Sequence, residues 1–372
     1  MRIGVPGEIK SSEFRVGLVP AAVRELAAAG HQVAVQAGAG SRIGFADTDY
    51  AAAGAAIVAT AAEAWAAELV VKVKEPQPAE FGFLRSDQVL FTYLHLAPDR
   101  RQAEALLNAG GTAIAYETVT DAAGALPLLA PMSAVAGRMS VQVGAHFLEI
   151  THGGRGVLLG GVPGVAPGRV AVLGAGSVGA HAVRMAVGLG AEVGVVDRAQ
   201  GRLDALDREY RGRIQTRMAT AEAIEELVCR ADLVIGAVLV PGGVAPKLVT
   251  RELLKKMQRG AVIVDVAIDQ GGCCETSRPT THAEPVFVEE GVVHYCVANM
   301  PGAVPRTSAL ALNNATLPYL RAIAAKGWRR ALREDAGLAA GLNACAGRIA
   351  HPAVAAALDM NCAPLSALLG AG

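Results

Sequence analysis

VAVLGAGSVG, residues 170–179, is the stretch that decides the fold class of this chain. An apolar strand pattern leads directly into GxGxxG, at the point where a helix should begin. In this motif Gly174 permits a tight turn, Gly176 lets the backbone approach a pyrophosphate, and Gly179 allows the helix to pack closely on the strand. The helix N-terminus would attract the phosphate charge. The segment predicts a dinucleotide site; the alternative is a glycine-rich turn without a ligand.

An acidic residue at the end of the next strand favours the dinucleotide site. Asp197 follows Gly179 at close to the spacing of about 20 residues expected for the carboxylate that binds the ribose hydroxyls. A carboxylate there would repel a 2′-phosphate, so the sequence favours NAD over NADP. Arg198 and Arg202 weaken this preference, because either guanidinium could pair with a phosphate.

The sequence around this motif alternates short apolar runs with helical stretches, as expected for βαβ units in a parallel sheet. Downstream, the predicted strands are Val170–Gly174, Val193–Asp197, Leu233–Val238, Val262–Val266 and Val292–Val297. A second, N-terminal sheet is predicted from Arg2–Val5, His31–Gln36, Leu69–Lys72, Val89–Thr92 and Thr112–Ala115, with helices such as Ala21–Ala29 between them. The loops after Leu233–Val238 and Val262–Val266 should line the ligand site, since ligands bind at strand carboxyl ends.

The fold class predicted is α/β, with two Rossmann-like domains. Residues 129–304 would form the NAD-binding domain, a doubly wound parallel sheet inserted into a substrate domain made of residues 1–128 and 305–372. Long helices over residues 133–150 and 309–326 would link the two. The Ala-rich tail after residue 327 is predicted to be helical, serving in packing or as an oligomer arm.

Composition narrows the function classes. With 372 residues the chain is long enough for about two domains. Its 34 basic and 34 acidic residues cancel, so we expect neither nucleic-acid nor membrane partners. No apolar stretch reaches the roughly 20 uninterrupted residues of a membrane span. The N-terminus does not resemble a signal peptide, and the six cysteines show no CxxC or paired zinc spacing, which predicts a cytoplasmic protein without a cysteine metal site.

Polar residues near the predicted strand ends of the N-terminal half suggest the chemistry. Oxidising an amino acid with NAD requires a cation for the carboxylate, a proton shuttle and a group that activates water. Arg15 follows the first strand, Lys72 and Lys74 lie at the end of the third, and His95 follows LFTYL. Taken singly, the cations could be solvated loop charges and the histidine a structural residue.

Longer segments resemble the alanine dehydrogenase and transhydrogenase N-terminal-domain family, from the first residue to about Trp328. They are MRIGVPGEIK, EFRVGLVP, VKVKEP, YLHLA, GGRGVLLGGVPGV, DQGGC, SRPTT and VANMPGAVPRTS. A resemblance to alanine dehydrogenase implies reversible NAD-linked oxidative deamination of L-alanine to pyruvate and ammonium by a cytoplasmic homohexamer. Two alternatives stay open: the NAD-binding subunit of a proton-translocating transhydrogenase, and a non-catalytic NAD-binding regulator. Lysine- or saccharopine-forming enzymes of the wider superfamily are a further possibility.

The resemblance also implies residue roles. Arg15 and Lys74 would hold the substrate carboxylate and carbonyl oxygen, His95 would be the general acid/base, and Asp269 would orient or activate water. The implied cofactor contacts are Ser133, Gly174, Gly176, Ser177, Val178, Gly179, Asp197, Arg202, Val238, Leu239, Ala267, Ile268, Asp269, Arg278, Val297, Ala298, Asn299 and Met300. For the apolar members the alternative is core packing, and for Ser133 it is helix N-capping.

Three positions depart from the family pattern. Gly7 stands where lysine is usual, and Ala219 stands where serine is often found near the adenosine. Lys326 occupies a position where a relative could carry an acidic metal ligand, so no metal is predicted. Neither Gly7 nor Ala219 touches the proposed chemistry.

Overall fold

The computed structural model describes residues 1–238 and 244–370. The chain divides into two compact units, one formed by Met1–Pro131 with Val304–Gly372 and the other by Met132–Ala303. The predicted cofactor contact at Leu239 lies outside the described residues. We refer to these as the first unit and the second unit.

The strands and helices follow in chain order. The strands are β1 (Arg2–Val5), β2 (Gln32–Gln36), β3 (Ala56–Val58), β4 (Leu69–Val71), β5 (Val89–Thr92), β6 (Thr112–Ala115), β7 (Arg169–Leu173), β8 (Glu192–Asp197), β9 (Gln215–Met218), β10 (Leu233–Gly236), β11 (Val262–Asp265), β12 (Val286–Glu289), β13 (Val292–Tyr295), β14 (Leu342–Cys345) and β15 (Arg348–Ile349). The helices are α1 (Pro20–Ala28), α2 (Asp47–Ala52), α3 (Ala61–Trp65), α4 (Arg100–Ala109), α5 (Ala130–Phe147), α6 (Ser177–Gly188), α7 (Gln200–Tyr210), α8 (Ala221–Arg230), α9 (Arg251–Lys255), α10 (Pro305–Lys326), α11 (Trp328–Glu334), α12 (Ala336–Ala339), α13 (Pro352–Leu358) and α14 (Leu365–Leu369).

The second unit contains one sheet in the order β12-β13-β11-β10-β7-β8-β9. All neighbours are parallel except β12, which runs antiparallel to β13. The chain moves outward from β7 through β8 and β9, then returns to the other side of β7 at β10. Ligands bind where the strand order reverses, outside the strand carboxyl ends. The order therefore places the candidate dinucleotide site at the end of β7.

The first unit contains a second sheet in the order β15-β14-β6-β5-β4-β1-β2-β3. Strands β1 to β6 are parallel, and β4, β5 and β6 are buried along their whole length. These strands lack the period-two alternation of a half-solvated sheet because both faces are covered. The predicted α/β class with two Rossmann-like units is confirmed.

The prediction for the tail was wrong in part. Short helices are present after Gly327, but β14 and β15 lie among them and extend the first sheet in antiparallel pairing from β6. The sequence LNAC of β14 lacks β-branched residues, so local preference did not indicate a strand. Pairing with the edge of β6 overrides that preference, as tertiary context often does for strands.

The two long helices begin earlier than predicted. Helix α5 starts at Ala130, so Ser133 lies inside its first turn and does not cap it. Helix α10 starts at Pro305, and its buried Asn313 fixes it to the loop after β1 by accepting from the Val19 N–H at 2.9 Å and donating to the Gly17 carbonyl at 3.2 Å. Among the described residues, no helix is both long and apolar enough to cross a bilayer.

Candidate active site

The glycine loop of the second unit, residues 174–179, joins β7 to α6. Gly174 has a φ of 105°, a backbone conformation that favours glycine. A Cβ atom on Gly179 would lie 1.8 Å from the carbonyl oxygen of Gly174, so only glycine allows this approach. Among the described residues, a Cβ atom on Gly176 would meet only the Arg202 guanidinium, at 3.8 Å. The loop is therefore tight where helix meets strand and open where a pyrophosphate would approach, as the motif predicts.

The carboxylate of Asp197, the last residue of β8, reaches back to this loop. It accepts the N–H of Ala175 at 2.7 Å and of Ala199 at 2.8 Å, and Arg202 lies 3.4 Å away. Burial opposes ionisation, but these two N–H groups and Arg202 together hold the pKa of Asp197 below its ordinary value. A negative charge is thus fixed beside the loop. Arg202 is paired with this carboxylate here, although its side chain remains more than half exposed.

The other predicted cofactor contacts of the second unit lie mostly beyond strand carboxyl ends. Ser177 and Val178 begin α6, and Val238 follows β10. The turn after β11 carries Ala267, Ile268 and Asp269, and the segment after β13 carries Val297, Ala298, Asn299 and Met300. Two residues differ in position: Ser133 lies in α5, and the Arg278 guanidinium packs over the Phe287 ring at 4.0 Å.

Sequence reasoning missed Asp265, which organises the turn carrying Asp269. Its carboxylate is fully buried and accepts hydrogen bonds from the N–H groups of Ala267, Cys273 and Cys274 and from the Ser277 hydroxyl at 2.5 Å. The adjacent Cys273 and Cys274 are themselves buried in this loop. The sequence did contain a signal for Asp265, because it is an acidic residue at the end of an apolar strand.

In the first unit, Arg15 is almost completely buried and pairs with Glu13. Its guanidinium Nε and Nη2 donate to the two carboxylate oxygens at 2.7 and 2.5 Å. Burial opposes the charge, but the paired Glu13 holds the pKa of Arg15 above its ordinary value. Sequence reasoning missed Glu13, although EFR places it only two residues before Arg15. The predicted carboxylate-binding cation thus already shares its guanidinium with an acid.

The two candidate lysines after β4 differ in burial and in ion pairing. Lys72 is fully buried, with its ammonium 3.2 Å from Glu8 and 2.9 Å from Glu80, so its charge is used inside the fold. Lys74 is partly exposed and makes no ion pair with any residue in the described ranges. Burial and the nearby Arg15 lower its pKa. Lys74, and not Lys72, is therefore the cation available to an anion.

His95 lies three residues beyond the end of β5 in an unusual backbone conformation. Its φ is 48°, in the left-handed region, where non-glycine residues cost about 1–3 kcal/mol. The Glu117 carboxylate accepts the N–H groups of Leu94 and His95, and the imidazole stacks on Tyr93 at 5.9 Å. His95 is accessible to solvent, yet partial desolvation by the surrounding protein lowers the pKa of its imidazole.

Arg15, Lys74 and His95 form one cluster, which we call the Arg–Lys–His cluster. Arg15 is close enough to lower the pKa of Lys74, and Lys74 is close enough to lower that of His95. The three residues come from the carboxyl-terminal sides of β1, β4 and β5, which are neighbours in the sheet. The sequence predicted these three residues as site candidates but did not point to their acidic neighbours Glu13 and Glu117.

These two units define a class of protein. A doubly wound sheet with a glycine loop and a fixed acidic residue is the arrangement of a dinucleotide-dependent oxidoreductase. The Arg–Lys–His cluster adds the groups that a carboxylate-bearing substrate and a proton transfer require.

Comparisons with known proteins identify the family. Residues 4–136 match the model "Alanine dehydrogenase/PNT, N-terminal domain", and residues 140–352 match "Alanine dehydrogenase/PNT, C-terminal domain". The chain is 58% identical to an alanine dehydrogenase of Halomonas elongata, covering 100% of both chains. It is 55% identical to an alanine dehydrogenase of Mycobacterium tuberculosis, covering 97% of each. The chain belongs to the alanine dehydrogenase/PNT family.

Solved structures agree with this membership. A structure of L-alanine dehydrogenase matches with a TM-score of 0.94 and 55% identity, over 96% of this chain and 99% of that one. A transhydrogenase from Sinorhizobium meliloti matches with a TM-score of 0.82 and 26% identity, over 95% and 100%. The protein is an oxidoreductase of this family, and its similarity to the alanine dehydrogenases is much greater than to the transhydrogenase.

Proposed function

We propose that the protein is an NAD-dependent L-alanine dehydrogenase that converts L-alanine reversibly to pyruvate and ammonium. The observation that carries the proposal is the Arg–Lys–His cluster, in a chain that aligns end to end with alanine dehydrogenases. A transhydrogenase subunit or a non-catalytic regulator would need the glycine loop but not these substrate-binding groups. The identity values also favour the dehydrogenase.

The glycine loop and Asp197 fit NAD. Gly176 leaves open space for a pyrophosphate at the start of α6, and the ionised Asp197 suits the ribose hydroxyls and repels a 2′-phosphate. When bound, NAD supplies a nicotinamide ring that accepts the hydride from the substrate Cα. We propose that the other contacts implied by the family resemblance complete the cofactor site. For Leu239 this proposal rests on the resemblance alone.

Substrate binding is proposed for Arg15 and Lys74. The partly exposed Lys74 provides a point charge for the carboxylate and for the developing carbonyl oxygen. Glu13 accepts hydrogen bonds from two nitrogens of the Arg15 guanidinium and would thereby fix the orientation in which Arg15 meets the substrate carboxylate.

Proton transfer is proposed for His95, with Asp269 orienting water. The hydride leaves from Cα of alanine with an unprotonated amine, which gives an iminium carbon to which water adds. His95 takes a proton from this water, giving a neutral carbinolamine, and transfers that proton to the nitrogen. As the C–N bond breaks and ammonia leaves, His95 takes the hydroxyl proton and the carbonyl forms. Its lowered pKa favours the neutral imidazole, the form that can accept that proton. Asp269 lies on the turn fixed by Asp265.

We further propose a cytoplasmic homohexamer. The six cysteines are all free, which suits a reducing compartment. The second unit exposes large apolar side chains around one loop: Ile150, Leu158, Val162, Val165 and Leu189. A Cβ on Gly160 would lie 2.6 Å from the Leu189 carbonyl oxygen, so this loop and the end of α6 are contiguous. Exposed patches of this kind mark association surfaces, and light scattering coupled to size-exclusion chromatography would measure the subunit number.

A spectrophotometric assay tests the proposed activity. We expect NADH to form when L-alanine and NAD are both present, and NADH to be consumed with pyruvate and ammonium. A panel of amino acids and 2-oxo acids with NAD and NADP defines the specificity. Replacing His95 by alanine should abolish turnover and leave NADH binding nearly intact. A protein that binds NADH without alanine-dependent reduction would contradict the proposal and favour the regulator.

A further inference from the structure

The backbone that presents His95 is held by an acidic side chain from the turn that follows the neighbouring strand. Glu117 lies on a single 3₁₀ turn directly after β6, and β6 pairs in parallel with β5. Its carboxylate accepts the Leu94 N–H at 3.1 Å and the His95 N–H at 2.7 Å. His95 needs such partners because a left-handed conformation is unfavourable for a residue with a side chain.

Other contacts limit how this short loop can move. Gln102 donates to the Leu94 carbonyl at 3.0 Å, and the Tyr93 hydroxyl donates to the Leu128 carbonyl at 2.6 Å. The Tyr93 ring in turn stacks on the imidazole with an interplanar angle of 15°. Glu117 differs from these neutral groups because it brings a charge to the backbone of the proposed acid/base.

We propose that Glu117 is the positioning residue of His95: its carboxylate fixes the left-handed turn that presents the imidazole, and its charge acts on that imidazole. The inference rests on the proposed acid/base role of His95 and extends it to a second residue. Glu117 itself is not assigned a contact with substrate or cofactor.

The charges around His95 determine the direction in which loss of the Glu117 charge shifts the imidazole pKa. Burial lowers the pKa of the imidazole; Glu117 and Glu75 raise it, and Lys74 and Lys10 lower it. Removing the charge of Glu117 must therefore lower this pKa further. Alanine oxidation needs the neutral imidazole, so its acid limb should move to lower pH. Pyruvate amination needs the protonated form, so its loss of activity at high pH should also begin at lower pH.

Two substitutions separate geometry from charge. Glu117→Gln retains an oxygen that can accept the backbone N–H groups but removes the charge. We expect near-normal maximal activity, with the acid limb of kcat/KM lowered by about one pH unit. Glu117→Ala removes both the acceptor oxygen and the charge. For this variant we expect a loss of about tenfold to a hundredfold in kcat with unchanged NADH affinity. Glu104→Gln on the exposed face of α4 is the matched control and should change neither.

A measurement that does not depend on activity accompanies the kinetics. Histidine labelled with ¹³C at Cε1 gives a resonance for His95 that is assigned by its absence in His95→Asn. Titration of this resonance reports the imidazole pKa directly, in wild type, Glu117→Gln and Glu104→Gln. We expect a lower value only in Glu117→Gln.

The outcomes distinguish this inference from the proposed function. An unchanged His95 titration in Glu117→Gln, or an Ala variant with lowered thermal stability but full kcat, would overturn the positioning role. Wild-type protein that does not oxidise alanine would instead overturn the proposed function, and the titration would still decide whether Glu117 acts on His95.

Discussion

The glycine loop and the Arg–Lys–His cluster prepare the molecule for ligands in different ways. The glycine loop presents backbone atoms, and its shape depends on the absence of side chains at Gly174 and Gly179, whereas Gly176 leaves space open for a ligand. The cluster presents charged side chains, and each depends on neighbours such as Glu13 and Glu117. A backbone site can be recognised from its motif, whereas a side-chain site requires the three-dimensional partners. Four substitutions test this contrast.

The largest effect is expected for Lys72→Met, which removes a buried cation directly after β4, two residues before Lys74 of the Arg–Lys–His cluster. Glu8 and Glu80 would keep buried carboxylates without their shared cation, and breaking a buried pair in this way costs about 3–5 kcal/mol. Urea unfolding measures the loss of free energy of unfolding. Lys255→Met, which removes an exposed i,i+3 pair with Glu252, should change stability by less than about 0.5 kcal/mol. Equal effects in the two variants would show that the buried triad contributes no more than a surface pair.

Lys74→Met should lower activity and preserve stability, whereas Lys72→Met should lower stability. We expect kcat/KM for alanine to fall by about 100- to 1,000-fold, as when one stabilising donor is removed from an active site. Thermal stability should be preserved, because Lys74 is ion-paired with none of the described residues and lies close to another cation. Activity assays and thermal melts on the same preparation check both parts. Activity within threefold of wild type would exclude Lys74 from substrate binding.

Asp197→Ala tests the polar part of the nucleotide site. Loss of a charged acceptor should weaken NADH binding by about tenfold to a hundredfold, with a much smaller effect on NADPH. Isothermal titration with each nucleotide measures the two affinities. Asp204→Ala, an exposed acid on α7, is the control. If both nucleotides weaken equally, Asp197 supports the loop through Ala175 and Ala199 and does not contact the ribose.

Gly176→Ala should give the smallest change and isolates the backbone effect. Apart from its chain neighbours, the added Cβ meets no atom of the described residues closer than 3.8 Å, so the free energy of unfolding should change by less than about 0.5 kcal/mol. NADH affinity should still fall by about tenfold, because the methyl group would occupy the space proposed for the pyrophosphate. In Gly179→Ala, by contrast, the Cβ would collide with the Gly174 carbonyl and lower stability. A Gly176→Ala protein with normal NADH affinity would place the pyrophosphate elsewhere.

The sequence predicted the second unit better than the first for a physical reason. Strands such as β7 and β10 are continuous apolar runs, and GxGxxG has a spacing that few other structures require. The missed strand β9 reads QTRM and forms one edge of its sheet, so it shows neither an apolar run nor a strong alternation. In the first unit, Lys72 and Lys74 are two residues apart in VKVKEP and indistinguishable by pattern. Only long-range contacts with Glu8 and Glu80 assign one of them to the core.

Completion of the first sheet by β14 has a consequence for synthesis on the ribosome. Strand β6 is made of buried residues, and one of its edges pairs with β14, which emerges after the whole second unit has been translated. Until then, the nascent chain carries an apolar strand with unpaired backbone groups, a known template for intermolecular pairing. Chaperone demand should accordingly be highest while residues 132–341 are being translated.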